Sequence, residues 1–321
     1  MRRLILALAL AACGHAASAQ TYPSRPITMI VPLPAGGAVD VLARMMAEGM
    51  RAFLGQPVVV ENISGAGGTL ATGRVVRAAP DGYTLGIGTS VQYVMNGALY
   101  PLAYDLVKDF EPVALLPTVP YWMIARKEMP AENLAQMIAW LKANPDKASA
   151  GIVGVGGSGH LCLINLQNAT GTRFQFVPYR GGAPELQNLR GGQIDLSCDL
   201  AANSLPMMRA GRIKAFAVMT RTRWFAAPQV PTADEAGLGG IYVSNWIGLW
   251  APRRTPRDII VRLNAAVVSA MSDPTQRGKI AEQGMEIPAA DQQTPEALGA
   301  YQKAEIEKWW PIIKAAGVKP E

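Results

Sequence analysis

Histidine is almost missing from this chain: His15 and His160 are the two in 321 residues. That scarcity excludes metal sites built on histidine clusters and most histidine-based proton relays. Cysteine is nearly as rare, at Cys13, Cys162 and Cys198, which rules out a disulfide-dense scaffold. Charged residues make up 17%, and no basic run exceeds an arginine pair. A nucleic-acid footprint is therefore not expected, whereas the net charge of +6 suits anionic solutes. No internal segment is long and apolar enough to span a bilayer. There is no short-period repeat and no low-complexity linker.

What is present is a half-hydrophobic composition in a chain long enough for one large domain or two medium ones. Arg2 and Arg3 precede an apolar run from Leu4 to Ala12 and a small-residue site, Ala17-Ser18-Ala19. This pattern predicts an export leader over residues 1–19, cleaved after Ala19. Leu10-Ala11-Ala12-Cys13 also allows a lipid anchor at Cys13. Both readings place the protein in the periplasm. His15 would leave with the leader. Cys162 and Cys198 can pair in an oxidising compartment, although the plainer reading is two small buried residues.

Along the chain, short β-branched runs alternate with helical patterns. Strands are expected at Ile27–Val31, Val58–Val60 and Tyr83–Ile87, with a helix over Val39–Phe53 and another ending near Ala79. A second set follows: helix Leu134–Ala143, strand Ala148–Val153, helix Leu161–Ala169, strand Phe174–Pro178, helix Ala183–Arg190 and strand Gln193–Cys198. Residues 112–126 contain Pro117 and Pro120 and suit an extended passage between lobes. Ser244–Trp250 suits the return, and a helical tail covers Pro256–Ser272, Thr275–Gln283 and Pro295–Ala315. These elements predict an α/β, two-lobed periplasmic binding protein of type II. Each lobe would be a mostly parallel sheet flanked by helices, with a cleft between. Lobe 1 would comprise 20–120 with 249–321, and lobe 2 would comprise 121–248. The hinges fall near Pro117–Tyr121 and Ser244–Gly248.

Ligands of parallel α/β lobes sit where strands end and helices begin, because free amides and the helix dipole favour anions there. Val31-Pro32-Leu33-Pro34-Ala35-Gly36-Gly37-Ala38-Val39-Asp40 is such a turn, followed by Leu42, Met45, Met46 and Met50 on one helical face. It reads as a carboxylate cradle involving Leu33, Pro34, Gly36 and Gly37, with Asp40 either capping the helix or holding water. Gly154–Leu161 is a second such turn. It contains G-x-G-x-x-G, yet Phe174–Val177 stands where a dinucleotide site needs an acid. It also lacks the last glycine of a nucleophile elbow, because His160 is there. A second anion cradle from Gly157, Ser158, Gly159 and His160 fits better; a helix-start hydrogen bond is the plainer role for His160. Thr89, Ser90 and Gln92, in the turn Gly88–Asn96, either touch the ligand or do turn chemistry. Tyr93 and Tyr179 can face the cleft. Asp199 can bind an amine, anchor the hinge or sit solvated at its strand end.

The order of motifs carries a resemblance. Tyr22-Pro23-Ser24-Arg25-Pro26-Ile27 leads into the first glycine turn, followed by Leu54-Gly55-Gln56-Pro57-Val58-Val59-Val60-Glu61-Asn62 and Gly65-Ala66-Gly67-Gly68. Then come Ala79-Pro80-Asp81-Gly82-Tyr83-Thr84-Leu85, Pro178-Tyr179-Arg180-Gly181, Pro231-Thr232, Glu235-Ala236-Gly237 and Ala251-Pro252. From Tyr22 onward the chain resembles the substrate-binding receptors of tripartite tricarboxylate transporters, the Bordetella uptake gene family. The resemblance implies a receptor that pinches a small organic carboxylate between the two glycine turns, partly through water, and passes it to membrane permease subunits. The family often has an aromatic and a Pro-Pro pair at Leu33-Pro34-Ala35, Thr at Val39 and Asn at Leu200, so these positions bear on which acid is bound. No cofactor, metal or catalytic residue is expected, and the protein is expected to be a monomer. The rival readings are an exported serine hydrolase using Ser158 and His160, and a sensory receptor serving a signalling partner.

Overall fold

A computed structural model of the chain describes residues 22–317; the expected leader, Cys13 and His15 lie outside them. The first half-sheet starts as β1 (Ile27–Val31), α1 (Ala38–Leu54), β2 (Val58–Asn62), α2 (Thr69–Val76) and β3 (Thr84–Thr89). β1 is parallel to both neighbours, with Ile27 opposite Val58 and Thr28 opposite Thr84. Ile27, Met29, Ile30 and Val31 are all buried, as expected for a central strand covered on both faces. α1 buries Leu42, Ala43, Met46 and Met50 at helical spacing. It ends at Gly55, in the left-handed region (φ +72°), whose amide returns to the Arg51 carbonyl.

A π-helical turn (Val91–Met95) and a short helix, α3 (Asn96–Leu99), lead to β4 (Phe110–Arg126). The proline-containing passage is therefore one 17-residue strand. Its register slips between Leu116 and Val119, skipping Pro117, which has no amide to give to a ladder. β4 then enters the second half-sheet. That half comprises α4 (Leu134–Ala143), β5 (Ser149–Val153), α5 (Ser158–Thr170), β6 (Gln175–Tyr179), α6 (Gly182–Arg190), β7 (Leu196–Leu200), α7 (Ala201–Arg209) and β8 (Ile213–Val218). β9 (Ser244–Pro252) returns antiparallel along β4, and α8 (Arg257–Ser272), α9 (Pro274–Glu282) and α10 (Pro295–Ala315) finish the first half.

The strand order is β2-β1-β3-β9-β4-β7-β5-β6, with β8 also on β4. Each half thus has a parallel set, completed by the antiparallel crossing strands. α7 and β8 were not foreseen: Pro206 sits inside α7, and β8 is a short run behind the Ala210-Gly211 turn. One apolar core lies between β1, α1 and α8. A second runs from Tyr93 and Trp250 through Met123 to Leu161 and Leu163, so the two halves share buried surface beside the crossing strands.

Candidate functional site

β1 delivers the chain to the first glycine turn. Gly36 has φ +83°, a conformation that only glycine adopts freely. Gly37 caps α1 with extended dihedrals (φ −76°, ψ 166°) and no side-chain cap. The first amides of α1 have no intrahelical acceptor. Asp40 is not the cap. It lies inside the first turn and reaches back: Oδ2 accepts from the Gly36 amide at 2.8 Å and from Arg44 Nε at 3.0 Å. Oδ1 accepts from Arg44 Nη2 at 3.0 Å and Asn62 Nδ2 at 2.9 Å. Asn62 Nδ2 also donates to the Leu33 carbonyl. The Arg44 hydrogen bonds, opposed by burial and aided by the Gly36 amide, hold the Asp40 carboxyl at about 2. The carboxylate is fully engaged in shaping the turn, which corrects the expectation of a cap or water holder.

The second turn repeats this backbone. Gly156 has φ +79°. Gly157 caps α5 with φ −70° and ψ 167°, again without a side-chain cap. His160 occupies the position of Asp40, and its Nδ1 accepts the Gly156 amide at 3.0 Å. An accepting Nδ1 means a neutral ring with its proton on Nε2. Burial lowers the His160 pKa, and the ring stands edge-on to Phe176 at 4.6 Å. The Ser158 hydroxyl points to Met95 Sδ at 4.0 Å and lies beside Tyr121. No hydrogen bond joins Ser158 to His160 among the described residues, and His160 Nδ1 is already occupied by the Gly156 amide.

Gly159 has a packing role. A Cβ there would lie 2.5 Å from the Cys198 carbonyl oxygen, so glycine lets α5 sit against β7. One turn on, Cys162 is bonded to Cys198, with Cα atoms 6.3 Å apart. This corrects the reading of two unpaired cysteines: close α5–β7 packing brings both side chains into the same buried gap.

The third turn touches both cradles. Met95 meets Ser158, as above. On the other side, Gly68 (φ +91°) fits between Pro32 and Gln92; a Cβ there would approach Gln92 Cγ to 2.7 Å and Pro32 Cβ to 3.0 Å. Thr89 donates its amide and hydroxyl to Gln92 Oε1 at 3.0 and 2.8 Å, so these two side chains satisfy each other. Ser90 Oγ is buried and has no hydrogen-bond partner among the described residues, a costly state unless water or ligand meets it. Tyr93 does not face the cleft. It is buried in the core, stacked on Trp250 at 3.5 Å, because the π turn directs its side chain inward. α10 holds this turn from behind: Gln302 Nε2 donates to the Tyr93 and Leu106 carbonyls at 2.8 and 2.9 Å. Trp310 Nε1 donates to the Val94 carbonyl at 2.9 Å.

Tyr179 ends β6 opposite Val153, which enters the second turn, and its hydroxyl accepts from Asn188 Nδ2 at 2.7 Å. Asp199 is buried rather than solvated. Trp122 Nε1 donates to Ser204 Oγ at 2.8 Å, and Ser204 Oγ donates to Asp199 Oδ2 at 2.6 Å. Burial pushes Asp199 up to about 6. Glu185, which the sequence did not single out, is buried beneath β5, accepts from Ser197 Oγ at 2.6 Å and is pushed by burial up to about 7. A helix-start acid gives no sequence signal of such burial. A cavity of about 660 Å³ opens between the starts of α1 and α7; its lining includes Ala38, Val119, Leu200, Asn203, Asn245 and Met285. None of the ligand contacts expected from the sequence lines it, but Leu200, singled out as bearing on which acid is bound, does, as do Val119 and Asn245 of the expected hinges, and Ala38 follows Gly37.

Two α/β halves joined by long crossing strands, with uncapped helix starts near the joint, define the two-lobed periplasmic binding proteins. More narrowly, residues 42–318 match the tripartite tricarboxylate transporter family receptors, and the chain belongs to that family. An Agrobacterium vitis protein encoded in the TAR-I ttuE-ttuC' intergenic region is 40% identical over 298 residues, 92% of this chain and 86% of its own. MatC from Rhodopseudomonas palustris, solved with bound malate, is 38% identical with a TM-score of 0.76, covering 91% of this chain and 100% of that one. A second R. palustris protein, solved with adipate, is 33% identical with a TM-score of 0.79, covering 94% and 100%. Among the described residues, no helix is long and apolar enough to cross a membrane.

Proposed function

We propose that this chain is a periplasmic receptor that captures a small organic carboxylate and delivers it to the permease subunits of a tripartite transporter. The observation that carries the reading is the repeated helix start: Gly37 and Gly157 both cap without a side chain, in nearly the same backbone geometry. Such ends leave amide donors for an oxyanion, and the helix dipole adds to the attraction. The proposed contacts are main-chain amides at Gly37–Val39 and Ser158–His160, with the unpartnered Ser90 hydroxyl between them; the Gly36 and Gly157 amides are already given to Asp40 and to the Gly154 carbonyl. Leu33 and Pro34 form one rim. The cavity beside Ala38 and Asn203 takes the rest of the molecule, with Asp199 behind it. Tyr179, opposite Val153 at the end of β6, is a further proposed contact.

Closure is proposed as rotation of residues 121–248 against 22–120 with 249–317, bending β4 and β9 near Pro117–Tyr121 and Ser244–Gly248. A carboxylate bridging both cradles stabilises the closed state by its differential contacts. Each charge-assisted hydrogen bond contributes about 1.5–3 kcal/mol. A few therefore suffice for micromolar binding, which needs about 8 kcal/mol. Malate and adipate, found in the two R. palustris relatives, are the first ligands to test. Titration calorimetry with malate, adipate, citrate and neutral amides of the same acids is the experiment. Heat from at least one acid and none from its amide is expected. Binding that survives conversion of every carboxylate to amide overturns the proposal.

A further inference from the structure

We propose that His160 is a positioning residue for the second cradle, and that its protonation opens that cradle while leaving the first intact. The two turns are the same device. In each, the residue three places beyond the capping glycine turns back to accept the amide of the left-handed glycine before the cap: Asp40 from Gly36 at 2.8 Å, His160 from Gly156 at 3.0 Å. That bond fixes the direction of the amides that follow. What differs is the acceptor. Asp40 is an anion locked by Arg44 and Asn62. His160 accepts only while its ring is neutral, because a proton on Nδ1 would set two donors face to face.

Nothing nearby stabilises the imidazolium. The ring packs on Phe176 at the start of α5, where the helix dipole disfavours positive charge. The titratable groups on the surrounding elements are Tyr121 on β4, Tyr179 on β6, Asp199 on β7 and Glu185 on α6. None forms a hydrogen bond or an ion pair with His160, whose pKa is lowered by burial alone. The sign follows. A histidine held neutral in the fold has a depressed pKa, so its contribution is whole above about pH 6.5 and is lost as pH falls below that value. The first cradle, with Asp40 at about 2, does not change over this range. Since Asp199 and Glu185 titrate nearby, a variant must isolate the histidine.

The test has a ligand-free arm and a binding arm; only the second rests on the carboxylate-receptor reading. In nitrogen-detected NMR of the unliganded mature protein, His160 is expected as the Nε2–H tautomer, and the Gly156 amide is expected to shift and lose exchange protection with the titration of His160. In the binding arm, malate and adipate are titrated at about pH 7.5 and at a pH below the His160 midpoint found by NMR. Wild type is expected to weaken at the lower pH in proportion to the fraction of His160 protonated there. His160→Asn, which supplies an uncharged acceptor, should lose clearly less than wild type between the two, and His160→Leu should bind weakly at both. A Gly156 amide that ignores the His160 titration, or an Asn variant as pH-sensitive as wild type, overturns the proposal. If neither acid binds but the amide follows the histidine, the positioning role stands and the receptor reading fails.

Discussion

The first half-sheet builds its glycine turn with charge, and the second builds the same turn without it. Around Gly36 the fixing groups are Asp40, Arg44 and Asn62, a network open to solvent on the Arg44 side. Around Gly156 they are a neutral imidazole, an aromatic edge and, one helical turn on, the Cys162–Cys198 bond. One backbone shape is reached by two chemistries. A sequence pattern of glycines therefore reveals where a helix start lies, whereas the means that hold it must be read from three dimensions.

The comparison can be broken most severely in the second half. Replacing Cys162 and Cys198 by alanine frees a loop of sequence separation 36 and is expected to cost about 2–4 kcal/mol. Urea denaturation should show this loss, and a dithiol reductant should have little further effect on the variant. In the first half, Asp40→Ala removes a charged acceptor from Gly36, Arg44 and Asn62. A loss of about 1.5–3 kcal/mol is expected, with binding weakened as well; Asp40→Asn should recover part of both. Gly159→Ala forces α5 away from the Cys198 carbonyl and should cost about 1–3 kcal/mol, read from the same denaturation curves.

A subtler contrast lies in pH. Burial raises Asp199 to about 6 and Glu185 to about 7. The fold therefore holds more protons than the unfolded chain between about pH 4 and these values. Stability should fall as pH rises through that window and level off above it. Asp199→Asn with Glu185→Gln should flatten the slope in urea titrations. The smallest effect is expected from the exposed Arg25–Asp81 pair: Arg25→Ala should change stability by no more than about 1 kcal/mol, a baseline for the rest.

Much of this fold was legible. The helical spacing of Leu42, Met46 and Met50 gave α1 nearly its observed limits, and Leu134–Ala143 and Pro295–Ala315 agree end to end. Residues 112–126 were read as an extended passage between lobes, and they are one strand, which tolerates Pro117 by slipping register. Residues 201–218 went unread because Pro206 interrupts the helical pattern, and Ile213–Val218 was passed over although the Gly211 turn precedes it. In the candidate site, glycine-to-helix junctions were visible in the sequence, and Ser90 was among the polar residues of the third turn, but its unpartnered burial was not. The side chains behind them were not. Nothing local tells that Asp40 turns back to Gly36, that Tyr93 points inward to Trp250, or that Glu185 loses its solvent. Cys162 and Cys198 required the α5–β7 contact before pairing could be seen.

The clasp that α10 places on the π turn has a temporal meaning. Gln302 and the Tyr93 carbonyl it grips are 209 positions apart, so ribosomes finish the turn long before they make its latch. Until that last helix docks, the turn carrying Ser90 and Met95 is held by Thr89, Gln92 and Asn96 without the bonds from Gln302 and Trp310. A half-made molecule would therefore carry both glycine junctions and still lack a mature grip on its cargo.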